Sequence, residues 1–172
     1  MNKDLYHYFL SLLSKQDYSG HRLRLKAKQW AFKRAIELNP EEIEETLEKL
    51  REMNYLNDER SRERLIQRCL MKKEGPELIT RKLKQEGYSV DRWQSKQDKE
   101  NMTQVILELI QQKFSQDKLK TTKDSKESQK YLYKIYQFCL RKGHQPQFIR
   151  EACRIFSKTV NQNFNLEDTS FS

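Results

Sequence analysis

One pattern of residues occurs three times along this chain, and it restricts the fold more than any other feature. Each copy has an apolar pair on a helix and a third apolar residue one turn later. A helix-start signal follows, with apolar residues four and eight positions beyond it. The copies are Phe9, Leu10, Leu13, Ser19, Leu23, Ala27; Leu65, Ile66, Cys69, Gly75, Ile79, Leu83; and Ile135, Tyr136, Cys139, Gln145, Ile149, Cys153. The second copy lies 56 residues after the first (Leu13 to Cys69), and the third 70 after the second (Cys69 to Cys139). An internal repeat of this length is the mark of stacked helical units, each needing its neighbours to cover its apolar face. Such arrays present an extended surface to a large partner rather than a buried catalytic pocket.

Punctuation along the 172 residues agrees with helices throughout. Asn39-Pro40-Glu41-Glu42 is a cap, a first-turn proline and two acids at the positive end of a helix dipole. The helix it opens should bury Ile43, Leu47, Leu50 and Met53. Asn57-Asp58 opens the next, carrying Leu65, Ile66, Cys69 and Leu70. Gly75-Pro76 opens another, which Gly87 can end in a left-handed conformation. Gly143 ends a later helix, and Pro146 starts the one after it. Val105, Ile106, Leu109, Ile110 and Phe114 form an apolar helix face. Nothing reads as a strand. The expected fold is all-α: three tandem three-helix, helix-turn-helix-like repeats in an elongated curved array, about nine helices in all. In each repeat the second helix is expected to be short. The units are 1–56, 57–100 and 101–164, with a polar linker at 115–128 and a flexible tail at 165–172.

Apolar residues make up 35% of the chain and charged residues 34%, which is a lean core under a charged surface. The formal net charge is +9, which favours polyanions or acidic protein surfaces. No apolar run approaches the roughly 20 residues that span a bilayer. With no signal peptide apparent at the N-terminus, the expected location is cytoplasmic, and the lean core and net charge predict a monomer. The cysteines Cys69, Cys139 and Cys153 sit at repeat positions and read as small core residues. The histidines His7, His21 and His144 are scattered, and His21 and His144 read as exposed polar residues near helix starts. No nucleophile elbow or phosphate-binding glycine loop occurs. The chain is therefore expected to be no enzyme, with no catalytic residue, cofactor or metal.

Charge is clustered. Arg22 to Arg34 holds six basic residues and no acid, and the next helix holds Glu41, Glu42, Glu44, Glu45 and Glu48. This is either a cationic face aimed at an acidic partner or a solvated face neutralised by the neighbouring helix. The candidate contacts are Arg22, Arg24, Lys26 and Lys28 in the first unit, Arg81, Lys82 and Lys84 in the second, and Arg141, Lys142 and Arg150 in the third. All lie on or beside the second helix of their unit. On the Tyr131, Tyr133, Tyr136 and Phe138 helix, Tyr136 should point inward, leaving Tyr131 or Tyr133 for contact.

In order and spacing, Tyr18-Ser19, Asn54-Tyr55-Leu56-Asn57-Asp58-Glu59-Arg60, Gly75-Pro76-Glu77-Leu78-Ile79 and Leu140-Arg141-Lys142-Gly143-His144 together resemble the RecX regulatory proteins. The resemblance covers roughly residues 5 to 160. Asn54 stands where that family has Gly, Asn57 where it has Asp, Ser61 where it has Phe, and Arg22 where it has Glu. Residues 30–38 resemble an insertion. The resemblance implies a non-enzymatic modulator of the RecA recombinase, bound along the RecA–DNA filament and connected with homologous recombination, DNA repair and the SOS response. It would lower strand exchange, ATP hydrolysis and coprotease activity, with RecA and single- or double-stranded DNA as partners. The competing readings are a helix-turn-helix-like protein that binds DNA without RecA, and a scaffold with no nucleic-acid role.

Overall fold

A computed structural model describes residues 2–90, 99–115 and 125–158. Those residues form eight α-helices and no strand: α1 (Lys3–Leu13), α2 (Gly20–Arg34), α3 (Pro40–Glu52), α4 (Asp58–Met71), α5 (Pro76–Glu86), α6 (Lys99–Lys113), α7 (Ser125–Arg141) and α8 (Pro146–Lys158). Side-chain caps start the first four. Asn2 accepts from Leu5 N–H, Ser19 from Arg22 N–H, Asn39 from Glu41 N–H and Asn57 from Arg60 N–H. Each satisfies a donor that the first helical turn cannot pair internally.

The chain divides into two compact units, Met1–Arg68 with Arg81–Val90, and Cys69–Thr80 with Asp91–Ser172. Two packing units stand beside three sequence repeats because α4 and α5, the helices of the middle repeat, each have residues on both sides of the division.

In the first unit, α3 packs on α1 and α2. The core is Leu5 and Phe9 from α1, Leu23, Ala27, Trp30 and Ala31 from α2, Ile43, Leu47 and Leu50 from α3, and Leu56 from the turn that follows. Each large side chain fully buried here contributes about 1.5–3 kcal/mol. Tyr8 stacks on Trp30 at 5.8 Å, and the Arg34 guanidinium lies over the indole at 4.6 Å. Met53 is half exposed, against expectation, because it is the C-cap of α3 and Leu56 fills the core in its place. Asn54 takes the left-handed conformation, at φ 57, that lets the chain turn back toward α4. Ala35, at φ 52, does the same at the end of α2, where Ile36 N–H reaches the Ala31 carbonyl at 3.1 Å. An alanine so held costs about 1 kcal/mol relative to a relaxed conformation.

In the second unit, α8 packs against α6 and α7 around Ile106, Ile110, Leu132, Ile135, Tyr136, Cys139, Ile149, Ala152, Cys153 and Phe156. The inward Tyr136 and the apolar face of α6 are as the sequence predicts. The polar stretch is shorter than 115–128, since Ser125 already begins α7 and Ser128 is buried. Residues 116–124 and 159–172, which include the expected tail, lie outside the described residues. So do residues 91–98, where a third helix of the middle unit is expected.

The turns before α5 and α8 meet in this unit. Gly75 N–H donates to the Lys142 carbonyl at 2.7 Å, and Glu77 N–H to the Gly143 carbonyl at 3.1 Å. Unpaired donors at the start of one helix thereby meet carbonyls released at the end of another. The approach is so close that a Cβ on Gly75 would collide with the Gly143 carbonyl. One on Gly143, held at φ +82, would strike the backbone of Leu78. His144 is buried, contrary to the exposed position expected for it, because its ring closes this junction. Its Nε2 lies 2.9 Å from the Lys73 carbonyl, so Nε2 carries the proton. Lys73 in turn reaches Glu108 of α6 at 2.8 Å.

The second helices of the repeats span 15, 11 and 13 residues, so none is short. Their first turns are alike. Leu23 N–H bonds to the Ser19 carbonyl, Ile79 N–H to Gly75 and Ile149 N–H to Gln145. Leu23, Ile79 and Ile149 are buried, as are Ala27, Leu83 and Cys153. Leu70, one residue beyond Cys69, leaves the buried stripe and is exposed.

Burial lowers the pKa of His144 from its ordinary 6.5, and nearby Lys142 adds to the effect against the Lys73 hydrogen bond. Below pH 6.5 the unfolded chain takes up a proton that the folded ring resists, so stability falls as pH drops from 6.5 to the lowered value. Urea unfolding at a series of pH values from about 7.5 downward should show this loss, and His144→Gln should flatten the slope across that window.

Candidate interaction surface

The ten candidate cations fall on both units. Arg22, Arg24, Lys26, Lys28, Arg81, Lys82 and Lys84 belong to the first, and Arg141, Lys142 and Arg150 to the second. Helical geometry separates those on α2. Arg22 and Lys26 share one flank of its buried stripe, and Arg24 and Lys28 the opposite flank, since each pair is four residues apart. The basic run is therefore not one continuous face.

Neighbouring acids use part of it. Arg24 grips Glu44 of α3 through Nε at 2.6 Å and a terminal nitrogen at 2.7 Å. That hydrogen bonding raises the Arg24 pKa and lowers that of Glu44. Both side chains are well exposed, so the pair contributes only about 0.2–1 kcal/mol. Arg22 reaches Glu86 at the end of α5 at 3.5 Å. The start of α2 is tied to the same place, with the Ser19 hydroxyl donating to the Glu86 carbonyl at 2.5 Å. Gly20 N–H, next to it, donates to Asp58 at 2.8 Å. Of the two readings of the basic run, neutralisation by a neighbour thus applies to Arg22 and Arg24. Lys26, half-buried, and Lys28, exposed, have no ion pair among the described residues, nor has Lys33 of the same run.

On α5, Arg81 and Lys84 stand three residues apart on the side away from Ile79 and Leu83, both exposed, while Lys82 lies half-buried on the flank. Arg141 and Arg150 are exposed. Lys142 is half-buried, and its carbonyl belongs to the turn junction. Tyr133 is 50% exposed, and Tyr131 is drawn inward, its hydroxyl on the Ser115 carbonyl at 3.1 Å.

A recess of about 170 Å³ opens in the first unit among Asp17, Arg22, Ser61, Arg68, Glu86 and Tyr88. Burial, with Asp58 and Glu86 nearby, pushes the Tyr88 hydroxyl up to about 12. Two acids face two arginines there, so the recess has no strong preference for an anion. It holds no pair of groups poised for acid–base or nucleophilic work. The thiols of Cys139 and Cys153 are pushed up to about 12 by burial and stay protonated at neutral pH. Among the described residues no three His, Cys, Asp or Glu side chains converge as metal ligands, and no helix is long and apolar enough to cross a membrane.

Of three exposed apolar residues of the α2 region, Phe32 is visible in the sequence as a ring within the basic run, beside Trp30, but Leu25 and Ile36 were not singled out. Their signal was present, as apolar residues off the Leu23, Ala27 and Trp30 stripe.

On a heparin column, Lys26→Gln with Lys28→Gln should elute at lower salt than the parent protein. The charge-neutral pair Arg24→Gln with Glu44→Gln should elute with the parent, because it removes an ion pair and no free cation. No protein-family model matches this chain, and no curated protein shows significant similarity to it.

Proposed function

We propose that this chain is a non-enzymatic regulator that binds the RecA–DNA filament in the cytoplasm and mainly inhibits the recombinase, its ATPase and its coprotease activity. In this reading the chain is three helix-turn-helix-like units, 1–56, 57–100 and 101–164, arrayed so that successive units meet successive protomers. Weak contacts linked in this way strengthen one another through effective concentration.

The observation that carries the reading is the likeness of the three second helices. Each buries the two apolar positions that the sequence pattern assigns to it, Leu23 and Ala27, Ile79 and Leu83, Ile149 and Cys153. Exposed basic residues remain on or beside each: Lys28, Arg81 with Lys84, and Arg141 with Arg150. The RecX-like motifs add support, because Gly75 and Gly143 match that pattern where the backbone needs glycine, and Asn54 and Asn57, which depart from it, still do what its Gly and Asp would do there. Asn54 is left-handed, Asn57 caps α4, and Gly75 and Gly143 sit where a side chain would collide.

Titrated into RecA on single-stranded DNA, the full-length protein should slow ATP turnover at amounts well below those of RecA. No slowing at stoichiometric amounts would refute the reading. Tight, salt-sensitive binding to naked duplex in place of that effect would favour a DNA-binding protein.

A further inference from the structure

The buried stripe of α2 runs through Leu23, Ala27, Trp30 and Ala31. Away from it, two turns apart, stand Leu25 at 39% exposure and Phe32 at 88%; Ile36, at 43%, follows just beyond the helix end. The left-handed Ala35 places Ile36 there by bonding Ile36 N–H back to Ala31. Strain held in a non-glycine residue is common where a surface must be kept in one shape. Lys28 lies one turn from both Leu25 and Phe32, and Lys33 adjoins Phe32; both lysines are exposed, with no ion pair among the described residues.

We infer that this face docks on a protein surface that is acidic and offers an apolar groove. Charge complementarity argues for the acidic partner, since Lys28 and Lys33 beside these apolar residues have no ion pair among the described residues, whereas Arg22 and Arg24, on the flanks of the buried stripe, are matched by Glu86 and Glu44. Apolar side chains seven residues apart, with a cation between them, match the way a helix anchors in a groove. An exposed Phe between two aliphatic residues is a side chain enriched at the core of such contacts. Nucleic acid fits less well. Bases stack on rings, whereas two of these three apolar residues are aliphatic, and the other ring of this helix, Trp30, is buried. The inference rests on the proposed function only in naming the partner: the face meets the protein of the filament and leaves DNA to other cations.

The test uses the full-length protein carrying Leu25→Ser and Phe32→Ser, both at exposed positions, with helical content checked by circular dichroism. Binding is measured to RecA filaments on single-stranded DNA and to the same DNA alone. The half-saturating concentration for filaments should rise about tenfold or more, with binding to naked DNA unchanged. Unchanged filament binding would overturn the docking face and leave the regulator reading intact. An equal loss on naked DNA would make the face a nucleic-acid contact and overturn the inference. Failure of the unsubstituted protein to bind filaments at all would overturn the regulator reading and this one with it.

Discussion

The second unit depends on a contact between two backbones with no side chain between them. The carbonyls of Lys142 and Gly143 take the first N–H groups of α5, from Gly75 and Glu77. Such donors and acceptors must be paired when water is excluded, since leaving one unpaired costs about 1–3 kcal/mol. The pairing needs two glycines facing one another, one of them left-handed. His144 then seals the junction through the Lys73 carbonyl, and Lys73 extends it to α6 through Glu108. The first unit has a related arrangement. The start of α2 meets the end of α5 through Ser19 and Glu86, and Gly87 lies where a Cβ would strike His21. In both units the carbonyl end of one helix is set against the amino end of another, which also brings opposite dipole ends together.

The basic residues stand where their own helices turn them. On α5, Arg81 and Lys84 lie on the side away from Ile79 and Leu83. The α2 helix begins at Ser19, and its first two arginines are consumed by Glu86 and Glu44. What remains for a partner is a smaller set than the net charge suggests: lysines on the α2 flanks, Arg81 and Lys84, and the arginines on and beside α8.

Much of this was legible in the sequence because it is local. Caps at Ser19, Asn39 and Asn57, the left-handed Asn54, Gly87 and Gly143, and the buried Ile43, Leu47 and Leu50 follow from short-range chemistry and from periodicity. What was not legible is tertiary. Periodicity places Arg24 on a flank of α2, but only the packing of α3 shows that Glu44 is within reach. His144 read as exposed because it follows a helix-ending glycine, and nothing local shows that the Lys73 turn lies over it. Met53 kept the helical period but fell at the cap, where the period no longer sets direction. The exposed Phe32 falls off the Leu23, Ala27 and Trp30 stripe, so periodicity turns it outward, and nothing local shows what meets it.

The glycine junction is tested most directly by the unfolding free energy of Gly143→Ala, measured by urea titration beside Gly20→Ala. Gly143→Ala places a methyl group against the Leu78 backbone at a left-handed position, and should cost about 2 kcal/mol or more. Gly20→Ala meets only the movable side-chain ends of Arg51 and Asp58, at 3.1 and 3.2 Å, and should stay within about 0.5 kcal/mol of the parent. A Gly143→Ala protein as stable as the parent would contradict the account, since the two turns could not then be in contact as described.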